Sequence, residues 1–221
     1  MIGVLPVRAL VFDFDGLLVD TESAALHAWQ ETLSERGVAF PHALWTGWIG
    51  GVGTDFAMRE HLAELIGHAD AEAMREQWWT RHLALVDSAP LQPGVAGYLA
   101  EAVRLGLALA VASSATGDWV AAHLRRLGTH EAFTVVATGD RYAAKPAPDT
   151  YLGALDGLGI PAAQAVAFED SPTGVAAAKA AGLHCVAVPN PVTAGLAAAR
   201  VAAAHAVRDR AGAPRRTVAR R

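Results

Sequence analysis

The sequence predicts an α/β fold: a parallel sheet flanked by helices, with a helical segment inserted after the first strand. Two observations carry this reading. Short apolar runs alternate with helical patterns over most of the chain, the order expected of strand–crossover–strand units. The alternation lapses only between about residues 20 and 88, where helical patterns follow one another without a convincing strand.

Each element has its own signal. Residues 8–14 (RALVFDF) form an apolar run that ends in acids and meets Gly16, as expected of a buried strand delivering carboxylates into a loop. Residues 107–112, 133–137, 165–168 and 184–188 read as four further strands. Helical patterns at 95–105, 117–127, 149–158 and 173–181 lie between them. Inside the insert, helices are expected at about 22–36, 55–66 and 71–86, separated by turn signals at Gly37, Pro41 and Gly50-Gly51-Val52-Gly53. The domain division follows: a core of 1–19 and 89–195, a helical insert of 20–88, and an Ala/Arg-rich segment of 196–221 expected to be partly flexible. Ligands of open α/β sheets bind at the carboxyl ends of strands. An insert leaving the end of the first strand should therefore overhang the site.

The composition narrows the function classes. Of 221 residues, 52% are apolar and 18% charged, enough for a substantial core. A net charge of −4 argues against nucleic acid as the main partner. Cys185 is the single cysteine, so no intrachain disulfide forms, which fits a reducing compartment. The N-terminus lacks the basic-then-apolar order of a signal peptide, and no stretch approaches the roughly 20 apolar residues of a membrane span. A cytoplasmic protein without a membrane partner is expected, and a monomer is the default. Only two of the 18 basic residues are lysines, Lys145 and Lys179, so a chemical reason for keeping either gains weight.

Four motifs carry chemistry, each after an expected strand. Asp13-Phe14-Asp15-Gly16 puts two carboxylates at i and i+2 before a tight turn, and the same stretch runs on to Thr21 and Glu22. Two buried like charges need a cation or hydrogen bonds to compensate them. Ser113-Ser114 offers hydroxyls for a phosphoryl oxygen. Lys145-Pro146-Ala147-Pro148-Asp149 places a compact ammonium just before a helix, suited to a phosphate. Glu169-Asp170 adds hard oxygen donors of the kind Mg²⁺ prefers. An isolated Asp-x-Asp is more often a cap or a solvated loop. The ordered set of carboxylate pair, hydroxyl, lysine and carboxylate pair makes that reading improbable here.

From about residue 8 to 191 the chain resembles the haloacid dehalogenase superfamily, in the branch with a helical cap after the first strand, which includes β-phosphoglucomutase and many sugar-phosphate phosphatases. The resemblance implies a Rossmann-like core and an α-helical cap. It implies Asp13 as nucleophile and Asp15 as general acid/base, with Ser113 and Lys145 holding the phosphoryl group. It also implies Mg²⁺ held by Asp13, Asp170, Glu169 through water, and the carbonyl of Asp15. Phosphoryl transfer to Asp13 would form an aspartyl-phosphate that water hydrolyses. The expected ligand is a small phosphorylated metabolite, a sugar phosphate or similar phosphomonoester.

Asp15 argues against dehalogenation, and a cap without lysine argues against Schiff-base phosphonate cleavage. A β-phosphoglucomutase-type mutase is the alternative. Where its cap histidine would fall this chain has Ala25, with His27 out of register, and its cap arginine falls near Thr54. A non-catalytic phosphometabolite-binding protein is a third reading, disfavoured because no catalytic acid is missing. Within the cap, Trp29, Trp45, Trp48, Trp78 and Trp79 are expected mainly to pack helices, and Arg59 and Arg75 to be solvated. Thr21, Glu22, Ser114 and Trp48, beside the glycine loop, are the candidate substrate contacts.

Overall fold

The computed structural model describes residues 7–48 and 53–194. Residues 50–52 of the glycine loop and the segment 196–221 lie outside them. Five parallel strands form one sheet, β1 (Ala9–Phe12), β2 (Ala108–Ala112), β3 (Val135–Ala137), β4 (Ala165–Glu169) and β5 (His184–Ala187), in the order β3-β2-β1-β4-β5. The central strand, β1, is wholly buried, because helices cover both faces of the sheet.

Side chains of β1 alternate between those faces with the strand period of two. Ala9 and Val11 join Tyr151 and Ala154 of α7 (Asp149–Leu158) and Val175 and Ala178 of α8 (Pro172–Ala180). Leu10 and Phe12 join Leu99 of α5 (Val95–Arg104) and Val120 and Leu124 of α6 (Gly117–Arg126). Phe12 also stacks on Phe168 at 4.9 Å. These two apolar layers fix the register of β1, and with it the position from which the next residue, Asp13, leaves the sheet.

Between β1 and β2 the chain forms α1 (Thr21–Glu35), α2 (His42–Trp48), α3 (Thr54–Ile66) and α4 (His68–Ser88). They bury a cluster of their own around Trp29, Leu33, Trp45, Met58, Leu62, Met74 and Trp78. The helix α2 was not anticipated. Pro41 reads as a turn signal, yet its carbonyl accepts from the N–H groups of Leu44 and Trp45 and so starts a helix, a place where proline's fixed φ and missing N–H cost nothing. The strand β4 also runs one residue further than its apolar run, through Glu169, which pairs with Ala187 of β5. The return from cap to core is tied by Arg126 of α6, which donates to the carbonyls of Val86 and Ala89 at 3.0 Å each. Among the described residues no helix is long and apolar enough to cross a membrane.

Candidate active site

The carboxyl ends of β1, β2 and β4 and the loop before α7 meet at a cleft of about 270 Å³, lined among others by Asp13, Asp15, Ser113, Ser114, Lys145 and Asp170. Asp13 follows β1 directly and is still anchored to the sheet, its N–H donating to the carbonyl of Phe168 at 3.0 Å. Its Oδ1 accepts from Lys145 Nζ at 2.6 Å. The same ammonium donates to Glu169 Oε1 at 2.6 Å, so one lysine is shared by two buried carboxylates. Burial acts to lower the Lys145 pKa, but Asp13 and Glu169 override it and hold the ammonium above the usual lysine range.

Glu169 is fully buried. Its Oε1 also accepts from the Tyr151 hydroxyl at 2.6 Å, and the Ser171 hydroxyl lies 3.4 Å from Oε2. Even so, burial, with Asp13 next, pushes its pKa up to about 7. The neighbouring helix must come close to this carboxylate: a Cβ on Gly174 would stand 2.0 Å from it, so only glycine fits there.

Asp170 is positioned by Asn190, whose Nδ2 donates to Asp170 Oδ2 at 2.7 Å and to the carbonyl of Gly16 at 3.2 Å. Gly16 has φ 77°, a conformation that favours glycine. A Cβ there would lie 2.2 Å from Asp170 Oδ2. The turn after Asp15 thus needs glycine both for its backbone and for the carboxylate packed on it. Burial first, then Asp13, Glu169 and Glu22, push the Asp170 pKa up to about 10. Asp13, Glu169 and Asp170 each bring a carboxylate oxygen within 4.8 Å of the others. Three such groups around one ammonium leave negative charge uncompensated, and hard oxygen donors in that arrangement suit a divalent cation. The donor set fits a metal.

Asp15 faces the same cleft from two residues further on. The indole N–H of Trp119 donates to its Oδ1 at 3.0 Å. Burial, then the charge of Asp13, raises its pKa to about 6, against the hydrogen bonds of Trp119 and Thr21. Glu22 is raised to about 7 by burial and by Asp15 and Asp13. Thr21 is buried, and its hydroxyl also accepts from the N–H of Gly16 at 3.0 Å, so it braces the turn. Ser113 accepts from the N–H of Ala115 at 3.0 Å, and Ser114 from the N–H of Lys145 at 3.1 Å, which joins the second and third motifs.

Asp15, Glu22 and Gly53 also border a second pocket of about 290 Å³ on the cap side. Its further walls include Trp29, Trp45, Trp78, Trp79 and His82, with Ala25 and Thr54. The packing reading of the tryptophans holds for Trp29, Trp45 and Trp78, which are buried in the cap. Trp48 packs beside His61 at 6.1 Å and its carbonyl accepts from the Thr54 hydroxyl at 2.8 Å. It is not among the residues that line either pocket. Sequence reasoning brought together Asp13, Asp15, Ser113, Lys145, Glu169 and Asp170 but missed Asn190, Tyr151 and Trp119. Asn190 just beyond β5 left a faint signal, being a polar residue after a strand end. Tyr151 and Trp119 sit within helices and left none.

A parallel α/β core that gathers carboxylates, hydroxyls and a lysine at its strand ends beneath a helical cap defines a class of two-part hydrolases. The haloacid dehalogenase-like hydrolase family model matches residues 10–188, and this chain belongs to that family. It is an enzyme, by family a phosphoric monoester hydrolase. The chain is 40% identical over 192 residues to YhcW of Bacillus subtilis (strain 168), which carries the name of a phosphatase, covering 85% of this chain and 86% of that one. It is 29% identical over 180 residues to the validoxylamine A 7'-phosphate phosphatase of Streptomyces hygroscopicus subsp. limoneus, covering 81% and 84%. Among solved structures, CbbY from Rhodobacter sphaeroides in complex with phosphate is 34% identical, with a TM-score of 0.65 over 85% of this chain and 88% of that one. An Asp-to-Asn mutant of CbbY has been solved with xylulose-(1,5)bisphosphate.

Proposed function

We propose that this enzyme is a Mg²⁺-dependent phosphatase that hydrolyses the monophosphate of a small hydroxylated metabolite through an aspartyl-phosphate on Asp13. The observation that carries the reading is the placement of Asp13: a carboxylate at the end of the central strand, 2.6 Å from the Lys145 ammonium and beside a second acid, Asp15, in one cleft. Asp13, Asp170 and Glu169 would hold the metal, with Glu169 acting through water and the Asp15 carbonyl as a further donor. When bound, Mg²⁺ supplies positive charge against the phosphoryl oxygens.

The remaining chemistry belongs to the chain. Lys145 and the Ser113 hydroxyl bind the phosphoryl oxygens. A carboxylate oxygen of Asp13 attacks phosphorus as the bond to the leaving oxygen breaks, and Asp15 donates its proton to that oxygen. Asp15 then accepts a proton from the water that attacks the acyl phosphate, which frees Asp13 and inorganic phosphate. A pKa near 6 suits a group that must do both near neutrality. Glu169 and Tyr151 keep Lys145 in place rather than touching the substrate.

The cap pocket supports a neutral leaving group. Its described lining holds no lysine or arginine. Arg59 and Arg75 of the cap are engaged by Glu60, Glu72 and Asp55. Ala25 and Thr54 line the pocket where the resemblance to a mutase calls for histidine and arginine, which counts against a bisphosphate-primed mutase. The test is phosphate release from a panel of sugar, polyol and nucleoside phosphates, with Mg²⁺ and with chelator. Metal-dependent turnover of monophosphates is expected. Isomerisation of a phosphosugar with a bisphosphate primer and no net phosphate release would establish the mutase instead.

A further inference from the structure

On the phosphatase reading, Asp15 must keep its carboxyl aimed at the leaving oxygen, and it stands on a loop. Thr21 at the head of α1 hydrogen-bonds it from the same stretch of chain, and Trp119, the third residue of α6, reaches it from another part of the core through its indole N–H at 3.0 Å. A ring with only one hydrogen bond could swing away, but Trp119 is held on its other sides. His82 of α4 lies against it at 5.8 Å and 13°, and Trp79 of α4 at 5.8 Å and 34°. His123, one turn along α6, meets it edge to face at 4.3 Å.

The contacts continue into the cap. His82 stacks on Trp78 at 5.2 Å, and Trp78 stacks on Trp29 of α1 at 4.9 Å. Trp78 is itself fixed by its N–H to the carbonyl of Ala25 at 3.1 Å. A row of four rings therefore runs from the first cap helix, across the gap between cap and core, to the acid. His82 is buried, and among the described residues its Nδ1 has no hydrogen-bond partner. Burial, and then His123, keep it neutral well below its usual pKa, so the row bears on Trp119 through ring packing and not through charge.

We propose that Trp119 is a positioning residue for Asp15, and that Trp79 and His82 hold it, so the acid is aimed only while the cap is seated on the core. The inference rests on Asp15 serving as the acid. Trp119 has no contact with the reacting atoms. It acts by holding Oδ1 of Asp15 and with it the orientation of the whole carboxyl toward the leaving group.

Trp119→Phe keeps a ring for Trp79 and His82 to pack on and removes the N–H. The full chain with Mg²⁺ is assayed on glycerol 2-phosphate, whose alkoxide needs a proton to leave, and on p-nitrophenyl phosphate, whose phenolate leaves without one. The ratio of kcat/KM for the alkyl ester to that for the aryl ester is expected to fall about tenfold, part of the roughly 10²–10⁴ that a general acid contributes. Trp79→Leu, which loosens the ring but keeps its N–H, is expected to lower the same ratio about threefold. An equal loss on both esters, or none, would overturn the proposal, since a merely structural role gives no dependence on the leaving group. If wild type turns over neither these esters nor any phosphomonoester of the panel above, the phosphatase reading fails by itself, and a crystal structure of Trp119→Phe still decides. A displaced Asp15 carboxylate supports the positioning role, and an unmoved one overturns it.

Discussion

The cleft and the cap pocket share Asp15 and Glu22 and are built from opposite materials. On the core side every wall position that matters is charged or hydrogen-bonded: Lys145 between Asp13 and Glu169, Asn190 on Asp170, Ser114 on the Lys145 backbone. On the cap side the walls include stacked rings, and three buried polar atoms there, Nε1 of Trp29, Nε1 of Trp45 and Nδ1 of His82, have no hydrogen-bond partner among the described residues. Charge that must meet a phosphoryl group is supplied by residues locked to the sheet, where burial makes it strong. On the proposed reading the leaving group meets a surface of rings and carboxylates, Asp15, Glu22 and Asp55, with no lysine or arginine in its described lining. Arg59 and Arg75 of the cap pair with cap acids at the surface, where such pairs contribute little.

That contrast can be broken at its strongest point. Lys145→Met removes the ammonium that sits between the buried carboxylates of Asp13 and Glu169. A loss of about 10³-fold in kcat/KM is expected in a steady-state assay. Denaturant unfolding should show a stability loss of about 3–5 kcal/mol, because the acids are left uncompensated. Retained stability would mean that the charges of Asp13 and Glu169 are neutralised some other way.

Next in size is the linkage of pH and metal to stability. A carboxyl with a raised folded-state pKa holds a proton that the unfolded chain has lost, so stability falls as pH rises from its unfolded value through its folded one. Asp15 at about 6, Glu22 and Glu169 at about 7 and Asp170 at about 10 all act this way. His82, lowered to about 4, destabilises only as pH falls below 6.5. Metal-free protein should therefore melt at a lower temperature at pH 9 than at pH 6.5. Mg²⁺ should raise the melting temperature, by about 2.7 kcal/mol of stability at a hundredfold excess over its Kd, and most at the higher pH. A metal effect larger at pH 6.5 would contradict the acidic cluster as its site.

A smaller effect sharpens the cap side. Thr54→Arg introduces a cation into a pocket whose described lining has none. The ratio of kcat/KM for a sugar bisphosphate to that for its monophosphate is expected to rise about tenfold, the size of one charge-assisted hydrogen bond. An unchanged ratio would mean that the pocket does not hold the leaving group. Smallest is Arg59→Ala, which removes a surface pair of the cap. Its cost should stay below about 1 kcal/mol in thermal unfolding.

The sheet and the six acid, hydroxyl and lysine positions were legible in the sequence because each motif follows a continuous apolar run, and such runs are buried strands whose ends are fixed. Helix α2 was not, since Pro41 gives the same local signal whether it ends a segment or starts a helix. Asn190 and Trp119 were hidden for another reason. Their roles come from tertiary contacts to Asp170 and Asp15, far along the chain, and leave no periodicity. Gly174 was visible as a residue, but the close approach of the Glu169 carboxylate that requires it was not.

The central claim is that Asp13 is phosphorylated during turnover. The direct measurement is to mix enzyme, Mg²⁺ and a turned-over phosphomonoester, quench in acid within the first turnovers, and map the phosphoryl group by peptide mass spectrometry. The expected result is one acid-stable, base-labile acyl phosphate on the peptide carrying Asp13, absent from Asp13→Asn, which should also lose at least about 10³-fold in kcat. Turnover with the phosphoryl group trapped on another residue, or undiminished in Asp13→Asn, would contradict it.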